Sequence, residues 1–336
     1  MKATPGNPET QNLRTPSSQK PTWFYHVMAL STVLIWSFSF LHIVNLNEAI
    51  DPISVVVLRK DIFAIGLVGF LIWRRPKLGH LTRRDWGLVL AMSLLSGPMY
   101  HFTFAWASGE GRISVALLGL IIATIPIHTG WLGWLILKEK LSVMRGIALA
   151  LGLAGVVVVL FGQNEGLVLL PQKLAGPIAA TCAAMFASLG MILTRANRGV
   201  LGPLDLFAVS GVVVVVIAAM FHPVADFERI GAMGLEGWGS AIFLGTFGSG
   251  IAYLTWVAAL TGLQAVTVAM YLFLASVLAT LWGWVFRGEE VNWMFALGGV
   301  MVLAGLLLPA LVQNWKGRNE PEEAIEPVLV EVEADA

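Results

Sequence analysis

The chain has 336 residues, 57% of them hydrophobic and only 12% charged, whereas soluble domains run at roughly 45–50% and about 25%. That composition excludes an ordinary soluble globule and points to a polytopic membrane protein, and a formal net charge of zero gives no general attraction to nucleic acid. One cysteine, Cys182, excludes an internal disulfide.

Residues 1 to 22 are polar, with four prolines, and are expected to form a disordered tail. The tail lacks the basic n-region and small-residue cleavage site of a signal peptide. A helix needs about 20 apolar residues to cross the hydrocarbon core. Runs of that kind lie near 24–44, 53–73, 86–106, 114–137, 143–161, 174–194, 204–221, 238–260, 264–286 and 293–312. The segment 162–173 reads as a linker, and 313–336, with seven acidic residues between 320 and 335, as a solvated tail. The expected fold is therefore an all-α polytopic membrane protein of ten transmembrane helices.

Lysine and arginine in the connections set the orientation. With the N-terminus inside, fifteen fall on the cytoplasmic side and four outside, so both termini are expected in the cytoplasm of a cell-membrane protein. The two halves also match each other at an offset of 150 to 153 residues. "WGLVLAMSLLSGPMYHFTFAWASG" (86–109) lies over "WGSAIFLGTFGSGIAYLTWVAALTG" (238–262), placing Gly97 on Gly250 and Tyr100 on Tyr253. "GWLILKEKL" (133–141) lies over "GWVFRGEEV" (283–291), placing Glu139 on Glu289. Five spans per unit, an odd number, turn the second unit over in the membrane. The result is an inverted repeat, an architecture of carriers whose sites lie near the midplane between the repeats.

These features resemble the drug/metabolite transporter superfamily in its ten-helix form with two EamA-type domains, here 23–161 and 174–312. "LIWSFSF" (34–40) is similar to that family's first-helix pattern, with Ser37 where glycine is usual. Arg59 falls where the family commonly has an arginine, and Pro126, Glu139, Gly146 and Gly155 match its proline-to-glutamate segment and the helix after it. The resemblance implies movement of small solutes, often export of amino acids or other metabolites. Two positions depart from it. Ser276 stands where a proline would match Pro126, and Ser210 stands opposite Arg59.

"VVLRKDIFAIG" (56–66) puts three charges, Arg59, Lys60 and Asp61, inside the second span. A charge at the bilayer centre costs roughly 2.5–3.5 kcal/mol on insertion scales and usually marks a site. Arg59 is about 9 Å inside the external end, in the outer third. Successive residues turn by about 100°, so the three cannot face one cavity. Arg59 is expected in the substrate pathway, on a face with Val56, Phe63, Gly66 and Phe70, with Lys60 snorkelling outward and Asp61 paired to a neighbouring helix. An electropositive entrance suits a carboxylate, hence a lean to amino acids.

The other candidates for the pathway are Trp36, Tyr100, Trp106, Tyr253, Trp256 and Tyr271, an aromatic wall suited to amphipathic solutes or cations, and His101 and His128, which can carry a proton. Gly97, Pro98, Pro126 and Gly250 are candidates for kinks or gates, since proline removes a backbone donor and bends a helix. Glu139 and Glu289 are read as capping the helix that follows each. Gly146, Ala150 and Ala154, four apart, read as a stripe for helix contact.

Other classes fare worse. His80 and Asp85 in "HLTRRD" have an acyltransferase-like spacing, but no domain surrounds them, so no enzymatic activity is expected. No P-loop exists, no histidine spacing suits zinc, and no cofactor is implied. A membrane-bound enzyme or a receptor or scaffold without transport is the alternative. The expected partners are a small-molecule substrate and the lipid bilayer, for a monomer or homodimer.

Overall fold

The computed structural model describes residues 20–108, 118, 121–162, 174–197, 200–288 and 292–315. Its helices are α1 (Thr22–Asn47), α2 (Pro52–Arg74), α3 (Arg83–Ala107), α4 (Ile125–Leu137), α5 (Val143–Gly162), α6 (Ala175–Ala196), α7 (Pro203–Ala219), the short α8 (Phe227–Ala232), α9 (Leu235–Gly262), α10 (Ala265–Arg287) and α11 (Trp293–Trp315). Apart from α8, each falls on one of the ten expected spans. Most of the two tails, most of the linker, and Glu289 lie outside the described residues.

Five of these helices are by themselves long and apolar enough to cross a membrane, and four more are shorter apolar helices. The remaining long one, α2, carries the charged triplet. Large apolar side chains such as Ile65, Ile72, Ile178, Val216 and Val300 stand exposed on outward faces, as lipid contact requires and water would penalise. The start of α2 follows from local chemistry. Asp51 accepts from the backbone N–H groups of Ile53 and Ser54 at 2.9 and 3.0 Å, and Pro52 occupies the first turn, where its missing donor costs nothing.

Helix contacts follow a two-fold pattern. Exchanging α1 with α6, α2 with α7, α3 with α9, α4 with α10 and α5 with α11 carries each principal contact onto another. The α1–α9 and α1–α10 contacts become α6–α3 and α6–α4, whereas α2–α7, α4–α10 and α5–α11 map onto themselves. The molecule is thus two inverted five-helix repeats packed across a pseudo-axis.

Lipid tails are as apolar as leucine, so helix association relies on close backbone approach. The tightest case is α5 against α11. A Cβ on Gly155 would sit 2.6 Å from the Gly298 carbonyl oxygen, and one on Gly305 would sit 2.8 Å from that of Ala148. This corrects the expected stripe, because Ala150 and Ala154 are exposed and nothing lies near Gly146. The contact face is Ala148, Gly152, Gly155 and Val159, a second small-residue stripe on the same helix. Gly155→Val should cost about 3 kcal/mol, the upper end for overpacking, because backbone blocks it and cannot swing aside. Denaturant titration in detergent measures that loss.

Candidate functional site

α3 and α9 each change pitch at mid-length, with π-helical turns over Leu95–Met99 and Leu244–Ile251. Pro98 and Gly97 lie in the first and Gly250 in the second. Such turns interrupt the regular backbone ladder and often occur at functional sites. One carbonyl of the second turn, that of Gly248, accepts from Trp36 Nε1 at 3.0 Å. Pro126 sits in the first turn of α4, just after a turn at 123–124, so it opens a helix. At the position matching Pro126, Ser276 lies within an unbroken α10.

Between these turns and α2 lies a small cavity of about 40 Å³, lined by Trp36, Arg59, Lys60, Phe63, Ser96, Gly97, His101, Gly211, Val214, Gly248, Ser249 and Tyr253. Lys60 with Gly211, Phe63 with Val214, and Ser96 with Ser249 are pairs at the repeat offset. The cavity therefore sits on the pseudo-axis, where both halves present equivalent positions. Tyr253 follows the same logic. Its hydroxyl lies against those of Ser210 and Ser96, while the matching Tyr100 faces Arg59.

The symmetry is one of place and not of charge. Arg59 is 8% exposed and Lys60 5%, and both come from the first half. Arg59 Nε donates to Ser249 Oγ at 3.1 Å, and Lys60 Nζ donates to the same oxygen at 3.3 Å. Among the described residues no carboxylate lies within 4 Å of either cation. Asp61 points away and pairs with His222 Nε2 at 2.9 Å, supplying the neighbouring partner expected for it.

Lys60 does not snorkel. The inward face of α2 is Val56, Lys60, Phe63 and Leu67, all buried and spaced at four and three residues, with Arg59 on its flank. Gly66, placed inward on sequence grounds, is exposed, and Phe70 packs on Phe207 with ring centroids 5.1 Å apart. The helix is rotated about its axis from the expected setting, because tertiary packing against α7 and α9 decides which side turns in.

Of the expected pathway residues, Arg59, Trp36, His101 and Tyr253 line the cavity, as does Gly97. Trp256 packs behind Trp36, the two rings tilted by 47° with centroids 5.0 Å apart, as part of the core. Tyr271 binds His26 Nδ1 through its hydroxyl at 2.9 Å. His128 binds the Thr124 hydroxyl at 3.1 Å, and Trp106 is 42% exposed. These four stand outside the cavity wall, as does Tyr100. Lys60, Ser96 and Ser249 were missed as lining residues. The signal for the two serines was present, since each immediately precedes the glycine that the repeat alignment pairs.

Ion pairs join the two halves near both ends. Glu139 Oε1 accepts from Arg195 Nε at 3.2 Å, and Arg195 Nη1 also donates to the carbonyls of Leu260 and Thr261 at the end of α9. Ser142, rather than Glu139, accepts from the Arg145 backbone N–H at the start of α5. The capping expected of Glu139 is thereby corrected to an ion pair. Arg74 meets Asp205 at 3.0 Å near the same end, and Arg287 meets Glu48 at 3.0 Å at the other.

A buried polar cavity on the axis of two inverted five-helix halves defines a multi-pass membrane transporter. The chain belongs to the EamA-like transporter family, whose model matches residues 23–161 and again 174–310. It is 23% identical to a Bacillus subtilis protein named uncharacterized transporter YoaV, over 83% of this chain and 94% of that one. An Archaeoglobus fulgidus protein named uncharacterized transporter is 24% identical over 84% and 96%. A solved crystal structure shares the fold, with a TM-score of 0.74 at 20% identity over 88% of this chain and 99% of that one.

Proposed function

We propose that this transporter carries small carboxylate-bearing metabolites, amino acids or related solutes, out of the cell by alternating access. The observation that carries the reading is the burial of Arg59, on the axis between two inverted halves, where among the described residues a serine hydroxyl alone is its hydrogen-bond partner. A metabolite does not fit into about 40 Å³, which holds roughly two or three waters. Both ends are tied by ion pairs between the halves. The arrangement therefore suits an occluded state, and rocking the halves apart at one end would admit the solute. The lysine and arginine bias supports cytoplasmic termini, and Arg195 and Glu139 would then guard the inner mouth.

His101 gives a second reading, proton exchange, because it lines the same cavity. Efflux from proteoliposomes loaded with mixed amino acids and common metabolites, profiled by mass spectrometry, tests transport and class together. Selective loss of carboxylate solutes is expected. Loss of nothing from demonstrably folded protein, with and without a pH gradient, would sink the reading. Uphill movement that stops when the gradient is collapsed would establish exchange over uniport.

A further inference from the structure

We propose that the solute held in this cavity bears net negative charge, its two anionic oxygens or single dianionic group meeting Arg59 and Lys60 together. The inference rests on the carrier reading and sharpens its substrate class. A neutral amino acid, whose ammonium needs an acceptor, fits this cavity poorly.

Arg59 has five N–H donors and Lys60 three, and one from each goes to Ser249 Oγ. A hydroxyl oxygen has two lone pairs, so Ser249 is filled by that pair of donors. Neither Nη of Arg59 bonds to any described residue, and Nη2 lies beside Gly248, 3.7 Å from where a Cβ would stand. Roughly six donor hydrogens are thus left for a ligand. The two cationic heads converge on one oxygen and repel each other, and a dianion relieves that repulsion where a monoanion relieves half of it.

The cavity offers an ammonium nothing comparable. Among the described residues no aspartate or glutamate lines it, and its remaining ionisable side chains are His101 and Tyr253. Asp61 is on the far side of α2, bound to His222, while Glu139 and Asp205 are bound to arginines near a helix end. Trp36 presents a ring, but that ring packs tilted against Trp256 and donates its Nε1 hydrogen to the Gly248 carbonyl. Two chemistries share the inferred pattern, a small dicarboxylate and a phosphate monoester.

The test is thermal unfolding of the full chain in phosphatidylcholine nanodiscs, which hold no anionic headgroup that could act as ligand. Succinate, glycerol 3-phosphate, leucine and lysine are added at matched ionic strength. A rise in Tm with succinate or glycerol 3-phosphate, and none with leucine or lysine, is expected, and the responding anion tells the two chemistries apart. Lys60→Met should unfold at the same or a higher temperature when empty, because a like charge is gone. It should also need about ten times more anion for the same shift. Leucine acting as strongly as the anions, a flat response to all four, or an unchanged anion response in Lys60→Met would each overturn the inference. Uptake of the same four compounds into proteoliposomes separates the two readings. Leucine moving while the anions do not leaves a carrier and removes the anion site. Saturable anion binding with no uptake of any compound leaves the anion site and removes the carrier.

Discussion

Arg59→Ala is expected to cut transport of a carboxylate solute by roughly 30- to 1000-fold while leaving the protein folded. Truncating one partner of a desolvated, hydrogen-bonded charge pair costs about 2–4 kcal/mol in binding, which converts to that range. The loss should fall on the solute-bound state rather than on the fold. Among the described residues Arg59 makes one hydrogen bond, to a serine hydroxyl, and sits beside Lys60 with no carboxylate within 4 Å. Removing it takes away a like-charge neighbour and leaves no buried anion behind. Arg59→Lys keeps the charge but loses the planar fork, and should fall between wild type and alanine. Efflux rates normalised to the amount of folded protein decide the matter. Unchanged efflux in Arg59→Ala would place the pathway elsewhere.

Glu139→Ala should act in the opposite sense, on stability before transport. Glu139 and Arg195 pair at 3.2 Å with their side chains 15% and 5% exposed. Breaking a buried pair by removing one partner is strongly destabilising, because the other charge stays buried. The carbonyls of Leu260 and Thr261 still accept from Arg195 Nη1 at 3.3 Å each, so we expect about 3 kcal/mol, the lower end of that range. Denaturant titration in detergent gives the number. A loss below about 1 kcal/mol would mean that the remaining partners of Arg195, those carbonyls among them, satisfy the guanidinium. Because the pair joins the two halves, any remaining folded protein should also open more readily at this end, which accessibility labelling of an engineered cysteine can read.

Several elements show how far sequence reasoning reached. The ten spans and their pairing into halves were legible because apolar run length and internal similarity are properties of the chain itself. Arg59 was legible for a related reason, since a charge in a lipid-soluble run demands an explanation wherever it points. Lys60 was misread because the sequence offers two escapes for a lysine, outward along its own stem or inward to a partner. The partner was Ser249, 189 residues away. Trp106, Trp256, Tyr271 and His128 were proposed by residue type, and type does not tell a wall from the packing behind it. The α5 stripe failed similarly. Gly146, Ala150 and Ala154 are small, but so are Ala148, Gly152 and Gly155, and only the presence of α11 selects the second set.

The sequence by itself determined the class of the protein, the number of crossings, the inverted duplication and the presence of a buried cation in the second helix. Hydropathy, loop charge and repeat offset are all local or one-dimensional quantities. Tertiary structure alone decided how each helix is rotated about its axis. In a membrane that rotation is set by where backbones can approach closely, with no water to pull polar faces outward. It turned Lys60 inward beside Arg59, sent Asp61 to His222, and brought Ser249 between the two cations.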